Sequence, residues 1–375
     1  MKGDVYVYDC IRVPTGKAGG RYKSVLPESL AAFLIEEVLQ RQNLSGCPLE
    51  IILGNSIGTM GNMARYASLL TSLPKSTLAS TVDLQCGGSY QAIRMAMAQL
   101  KSGLNEVVIA GGMESNSLQP HRFYAKNDPR YTDGKAFLTA NFNPQSTQSL
   151  AQSAEQLAHA FQITKDEMWD WVLESHHRAA DFIQTAIYKR HVIDYDRKGP
   201  DQTVRVDLKR EDLVRWSTKE TIDRTNTAHY HDGAAVLVLG TEELGRRLDK
   251  KPMACIRDIL ILGVDPDEAP KGVIYGASEL LEQHALKAKD IDIFEVNESF
   301  ACKPLSFAKH FGLSDKKYLN VFGGNLAYGH PFAASGTMNL LHLILALKEK
   351  KQTFGLLSAG VAGGYGAAML VENCE

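Results

Sequence analysis

A cysteine set where a strand meets a helix, and a histidine held in a glycine-rich loop, are the residues of this chain best suited to chemistry. Cys86 lies in Gln85-Cys86-Gly87-Gly88-Ser89, between the strand-like STVDLQ and a helical stretch from Gly87 to Lys101. A thiol at a helix N-terminus feels the positive end of the macrodipole and free N–H groups, which favour its thiolate. A free cysteine is more often a small buried hydrophobe, and the flanking glycines, which admit a close-lying backbone or substrate, argue against that use here. His330 stands in Gly329-His330-Pro331, after Gly323-Gly324 and before Ser335-Gly336. Pro331 stiffens that turn, and a cysteine paired with such a histidine makes an activated nucleophile. Asn297-Glu298 closes the strand-like DIDIFEV and could orient a water or a donor, although capping a turn is the commoner use of asparagine there. His229 and His231 lie two apart, but no carboxylate or cysteine cluster accompanies them, so no metal is expected. GVAGGYG misses both the dinucleotide and the phosphate-loop patterns, and no Gly-x-Ser-x-Gly elbow is present.

The elements around these residues alternate between the two regular periods. DVYVYDCIRVP reads as a strand ended by Pro14, residues 29–42 as an amphipathic helix, EIILG as a short buried strand, and EVVIAGGMES as a strand broken by Gly111-Gly112. That alternation predicts a layered α/β body with buried, largely parallel strands. Residues 115–230 differ: they are more polar and carry all three tryptophans, Trp169, Trp171 and Trp216, so they read as an insertion. HDGAAVLVLG then returns to a buried strand. The last third repeats the first in outline, with LLSAGVAGGYGAAMLVE forming two adjacent strands around a glycine turn. The divisions are therefore 1–114 with 231–248, 115–230, and 249–375. Two similar halves facing each other would bring a helix N-terminus from each, one with Cys86 and one with His330, to a shared centre.

Composition narrows the class. The chain has 375 residues, with 41 basic against 43 acidic side chains and a formal net charge of −2, which gives no general reason to expect nucleic-acid binding. No apolar run reaches the roughly 18 residues of a membrane span, and MKGDVYVYDC lacks the apolar core of a signal peptide. The six cysteines are scattered without C-x-x-C pairs and read as free thiols of a cytoplasmic protein.

Taken together, several segments resemble the thiolase family, the enzymes that join or cleave β-ketoacyl thioesters of coenzyme A. CIRVPTGKAGG, DLQCGGSYQAI, IAGGMESNS, AQSAEQLA, ESHHRAA, NTAHYHDGAA, FEVNESFA, GGNLAYGHPFAASG and LLSAGVAGGYGAAM follow in the family's order over nearly the whole chain. The resemblance implies a layered α-β-α-β-α body made of two similar halves with an inserted loop domain. It implies that Cys86 is the nucleophile that carries the acyl group, and that His330 takes its proton. Asn297 would hold a water that forms one oxyanion hole with His330, while the backbone N–H groups of Cys86 and Ala362 form a second. Leu150, Ala228 and Phe300 fall where the family lines its acyl and pantetheine pocket. It further implies acyl-CoA and coenzyme A as partners, no cofactor beyond the thioester substrate, and a homodimer or homotetramer, without nucleic acid or membrane.

One departure concerns the chemistry itself. The family's second cysteine, which moves the α-proton of acetyl-CoA, is replaced by Gly360 in Gly360-Val361-Ala362-Gly363-Gly364. Glycine transfers no proton, and acid–base help of this type is worth about 10²–10⁴-fold. Cys302, Tyr328, His229 and His231 are the possible substitutes. Three functions stay open: a thiolase-type acyltransferase with an altered proton step, an acyl-CoA transferase or hydrolase that uses only the Cys86 half-reaction, and a catalytically weak acyl-CoA-binding subunit.

Overall fold

Strand-forming and helix-forming stretches assemble in the computed structural model, described over residues 3–44, 46–58, 61–129, 131 and 143–374, into two halves of one pattern. The first part contains β1 (Val5–Arg12), β2 (Gly16–Lys17), α1 (Pro27–Gln42), β3 (Glu50–Gly54), α2 (Met63–Leu69), β4 (Leu78–Val82), α3 (Gly88–Ser102) and β5 (Val107–Glu114). After β5 the chain leaves the sheet to form α4 (Leu150–Ala160), α5 (Lys165–Ile183), α6 (Ala186–His191) and α7 (Arg210–Trp216), then returns as β6 (His231–Gly240). The rest comprises α8 (Glu242–Leu248), β7 (Ala254–Gly263), α9 (Gly272–Gln283), β8 (Ile293–Val296), α10 (Cys302–Phe311), α11 (Asn325–Tyr328), α12 (Ser335–Lys350), β9 (Phe354–Val361) and β10 (Tyr365–Asn373).

The strand order is β4-β3-β5-β6-β1-β7-β10-β9-β8, with β2 on β6. The two halves meet where Val5–Val7 of β1 pair with Ala254–Ile256 of β7. Read outward from that seam, β1, β6, β5 and β3 correspond to β7, β10, β9 and β8. A parallel bridge from Leu319 to Phe294 stands where the second half would carry its counterpart of β4. The expectation of largely parallel strands needs correcting. β3 is parallel to β4 and β5, and β8 to β9, but β1, β6, β7 and β10 run antiparallel to their neighbours. Between β9 and β10 the cause is local: Ala362-Gly363-Gly364 is too short for a crossover, and Gly363 and Gly364 take φ of 91° and 83° to close the hairpin. β5 also runs unbroken through Gly111-Gly112, because Gly111 allows a close approach: a Cβ there would lie 2.1 Å from the Ala235 oxygen.

Period-two alternation sorts the strands between layers. In β6, Ala235, Leu237 and Leu239 face the middle of the molecule, whereas Ala234, Val236 and Val238 face α1 and α2. In β10, Ala367, Met369 and Val371 face the middle, while Ala368 and Leu370 face α9 and α10. The middle layer is α3 and α12, and α12 is buried at every residue from Ser335 to Leu347, as a helix packed between the two halves of the sheet must be. The result is the expected α-β-α-β-α layering. The chain after β5 is tied down by charge: Arg12 of β1 forms a buried bidentate pair with Asp201 at 2.7 and 2.9 Å, which also accepts the Tyr188 hydroxyl at 2.8 Å.

Candidate active site

Cys86 and His330 are brought together by the starts of the two middle helices. Gly88 begins α3 so close to the turn before α12 that a Cβ on it would lie 2.7 Å from the Ala333 Cβ, and one on Gly112 would lie 2.2 Å from the Ala333 oxygen. Only glycine permits that docking. Ser89 Oγ donates to the Ala333 carbonyl, and the buried Glu114 accepts from Ala333 N–H at 3.4 Å and Ser56 N–H at 3.1 Å. The chain enters this corner through Gln85 at φ 48°, a left-handed backbone directly before Cys86. On the other side Gly329 takes φ 80°, and a Cβ there would overlap the His231 ring, 1.9 Å from its Nδ1.

The sulfur of Cys86 lies 3.1 Å from His330 Nε2, and His330 Nδ1 lies 2.7 Å from Ser335 Oγ at the first turn of α12. Burial pushes the Cys86 thiol up to about 11, although the charge of Lys303 and the N–H groups of Ala362 and of Cys86 itself pull it down. Burial likewise pushes His330 down to about 3, assisted by the charges of Lys303 and His231. The resting pair is therefore a thiol donating to a neutral imidazole, whose Nδ1–H donates to Ser335. Desolvation at the sulfur outweighs the N–H groups and the Lys303 charge that favour its thiolate. The N–H groups of Ala362 and of Cys86 itself point at this sulfur.

Asn297 directly follows β8. Its Oδ1 accepts from Lys303 Nζ at 2.8 Å and from Ser299 N–H at 3.2 Å, and its Nδ2 donates to Asn325 Oδ1 at 2.9 Å. An ammonium can only meet the amide oxygen, so the orientation of Asn297 is set by Lys303. Next to it, Glu298 accepts from Trp171 Nε1 and Ser175 Oγ of α5, both at 2.8 Å, so one flagged tryptophan anchors α5 to the site turn. The other, Trp169, donates to Thr225 Oγ1 at 2.8 Å. Ala228 is buried and its N–H donates to the Ser299 carbonyl at 3.0 Å, while Thr227 bridges Phe300. Phe300 is buried, and Leu150 packs half-buried at the edge of the same apolar cluster.

The four suggested substitutes for the second thiol do not gather at the Cys86–His330 pair. Tyr328 is fully buried and donates to the Phe322 carbonyl at 2.6 Å. Cys302 turns toward α4, 3.4 Å from the Ala154 carbonyl, and burial pushes its thiol up to about 12. His231 is held between the His229 carbonyl at 3.0 Å and Thr203 Oγ1 at 2.9 Å, beneath Gly329. His229 is exposed, and it is its backbone carbonyl that accepts His330 N–H at 2.9 Å. The group that is present was missed: Lys303 is buried and its Nζ also bonds Ser299 Oγ at 2.9 Å and the Gly360 carbonyl at 3.1 Å. A signal existed in the sequence. A lysine in the first turn of a helix opposes the macrodipole, and a local misfit of that kind marks positions held for another purpose.

Comparisons with known proteins identify the family. The thiolase N-terminal domain matches residues 5–243 and the thiolase C-terminal domain matches residues 250–373. The chain belongs to the thiolase family of acyltransferases. An acetyl-CoA acetyltransferase of Bacillus anthracis superposes with a TM-score of 0.90 at 29% identity, over 99% of each chain. Human mitochondrial 3-ketoacyl-CoA thiolase superposes at 0.89 and 25% identity, over 100% of this thiolase and 99% of the human chain. A Staphylococcus aureus (strain N315) protein named "Probable acetyl-CoA acyltransferase" is 30% identical over 389 residues, 96% of this chain and 97% of the relative. Among the described residues no group of His, Cys, Asp and Glu is placed to hold a metal ion, and no helix is long and apolar enough to cross a membrane.

Proposed function

We propose that this thiolase transfers acyl groups between acyl-CoA thioesters through an acyl-Cys86 intermediate, with its proton-transfer step altered by the loss of the second cysteine at Gly360. The observation that carries this reading is the 3.1 Å contact from Cys86 sulfur to His330 Nε2, with backbone N–H groups of Cys86 and Ala362 on the same sulfur. The imidazole takes the thiol proton as the sulfur attacks the acyl carbon, and gives it to the departing coenzyme A sulfur. The converging N–H groups hold the carbonyl oxygen as it becomes negative; each donor of this kind supplies about 3 kcal/mol. Asn297 and His330 would stabilise the second thioester carbonyl, and Leu150, Ala228 and Phe300 would line the path of the acyl and pantetheine chains. No cofactor beyond the thioester is required, and the reading places a homodimer or homotetramer in the cytoplasm.

The test is intact-protein mass after incubation with acetyl-CoA, alongside acetoacetyl-CoA turnover. Wild type should gain one acetyl group and turn over acetoacetyl-CoA, and Cys86→Ala should do neither. No adduct with acetyl-CoA or longer acyl-CoAs would reject the acyl-enzyme and leave a binding role. The absence of a proton-transferring side chain at Gly360 favours a second reading, in which only the Cys86 half-reaction survives and the acyl group passes to water or another acceptor. An adduct that hydrolyses without carbon–carbon bond cleavage would support it.

A further inference from the structure

Lys303 is a charged side chain where a folded chain rarely keeps one. It is 1% exposed and, among the described residues, no carboxylate pairs with it. Its Nζ is instead held by Asn297 Oδ1 at 2.8 Å, Ser299 Oγ at 2.9 Å and the carbonyl of Gly360 at 3.1 Å. One of these partners is the backbone of the residue that replaces the second cysteine, and the Lys303 charge acts on Cys86 itself. A thiol could not return to Gly360 unaided, since a Cβ there would lie 2.3 Å from the Ala269 oxygen.

We propose that Lys303 is the acid–base residue of the carbon–carbon bond step, its amine taking the place of the missing thiol. The assignment rests on the acyl-Cys86 reading above. In condensation the neutral amine removes a proton from the methyl group of a second acetyl-CoA. The resulting carbanion attacks the acyl carbon on Cys86, a carbon–carbon bond forms, and the carbon–sulfur bond breaks to leave the Cys86 thiolate. The proton on Lys303 then returns to that thiolate, so two acetyl-CoA become acetoacetyl-CoA and free coenzyme A. In cleavage the ammonium supplies the same proton to the departing carbanion.

The three partners suit a group that must exist in both forms. Two carbonyl oxygens and one hydroxyl satisfy the three N–H donors of an ammonium. Ser299 alone can reverse, its hydroxyl turning from acceptor to donor when the amine is neutral. It is also the only half-exposed partner, so it stands on the more open side of the amine. Burial lowers the lysine to about 8, against the opposing influence of Cys86 and Cys302. Lys303 then changes protonation close to neutral pH. Cys86 at about 11, Cys302 at about 12 and His330 at about 3 do not titrate in that range, whereas the buried Glu114, whose charge reaches Cys86, is raised to about 7 and titrates just below it.

The decisive measurement is loss of deuterium from methyl-deuterated acetyl-CoA in ordinary water, with intact-protein mass on the same samples. In wild type the acetyl adduct forms and deuterium is lost, at a rate that rises with pH through about 8 and then levels. Lys303→Met should still acetylate Cys86 while deuterium loss falls about 10²–10⁴-fold. Lys303→Arg keeps the charge but cannot give up its proton, so it should lose exchange equally. Exchange that survives in either variant, or a wild-type rate flat from pH 6.5 to 9.5, overturns the assignment of Lys303, and a flat wild-type profile does so even if both variants fail to fold. Wild type that gains an acetyl group but exchanges no deuterium also overturns it and leaves the half-reaction reading standing. Wild type that gains no acetyl group overturns the acyl-Cys86 reading itself.

Discussion

At the scale of single residues, the site depends on which atoms are absent as much as on which are present. Gly329 and Gly360 each hold space that a side chain would claim: the first lies against the His231 ring, the second against the Ala269 and Pro270 carbonyls. Restoring the family's thiol by Gly360→Cys should therefore not restore ordinary chemistry. The added Cβ must displace the segment before α9, so the variant should lose about 1–3 kcal/mol of stability, read as a lower Tm, and gain no acetoacetyl-CoA cleavage. A variant with wild-type Tm and faster cleavage would show that the backbone accommodates the thiol. Gly329→Ala should be more damaging to function than to fold, because it moves His330: acetylation of Cys86 should slow at least tenfold while far-ultraviolet circular dichroism stays unchanged.

At the scale of elements, the buried ion pair between β1 and the segment before α7 binds the chain after β5 to the sheet. Burial pushes the Asp201 carboxyl up, but the Arg12 charge, its two hydrogen bonds, Thr15 N–H and the Tyr188 hydroxyl hold it down to about 2. A carboxyl lowered on folding adds stability that is complete above its unfolded value, near 4, and is lost as pH falls toward 2. Asp201→Ala leaves Arg12 charged and unpaired in the core, and should cost about 3–5 kcal/mol in urea unfolding at pH 7. The difference from wild type should shrink between pH 4 and pH 2. A constant difference across that interval would mean that the loss is packing and not charge.

At the scale of the whole molecule, the two ends of the sheet are finished differently. Beyond β8 lies the Leu319 bridge, whereas β4 is an open edge with Leu78 67% exposed. Tyr66, Leu69 and Leu70 are also exposed on the neighbouring helix and its end. An open edge with adjacent apolar side chains favours pairing with another chain. Wild type should elute in size-exclusion chromatography above the mass of one chain, and Leu78→Asp should shift it toward that mass. Elution of wild type as a single chain would remove the homo-oligomer from the proposed function.

How much of this was legible beforehand follows from how local each cause is. Cys86, His330, Asn297 and the glycines around them announce themselves because a strand-to-helix corner constrains adjacent residues, and those constraints lie within a few positions of each other. The repeated order of elements was legible for the same reason, and it placed the two helix starts at one centre. Three matters needed the tertiary structure. The direction of β6 and β10 depends on their partners across the sheet and not on their own alternation. The protonation of Cys86 depends on how much protein surrounds its sulfur, and burial there outweighs the Lys303 charge and the N–H groups that lower it. Lys303 reads in sequence as one more cation, and becomes a candidate base only when packing removes water and any carboxylate from around it. By itself the sequence determined the family and put Cys86, His330 and Gly360 forward, all through contiguous residues. Only the fold decided that a buried Lys303 bonds the Gly360 carbonyl, because desolvation and the meeting of α10 with β9 are set by residues far apart in the chain.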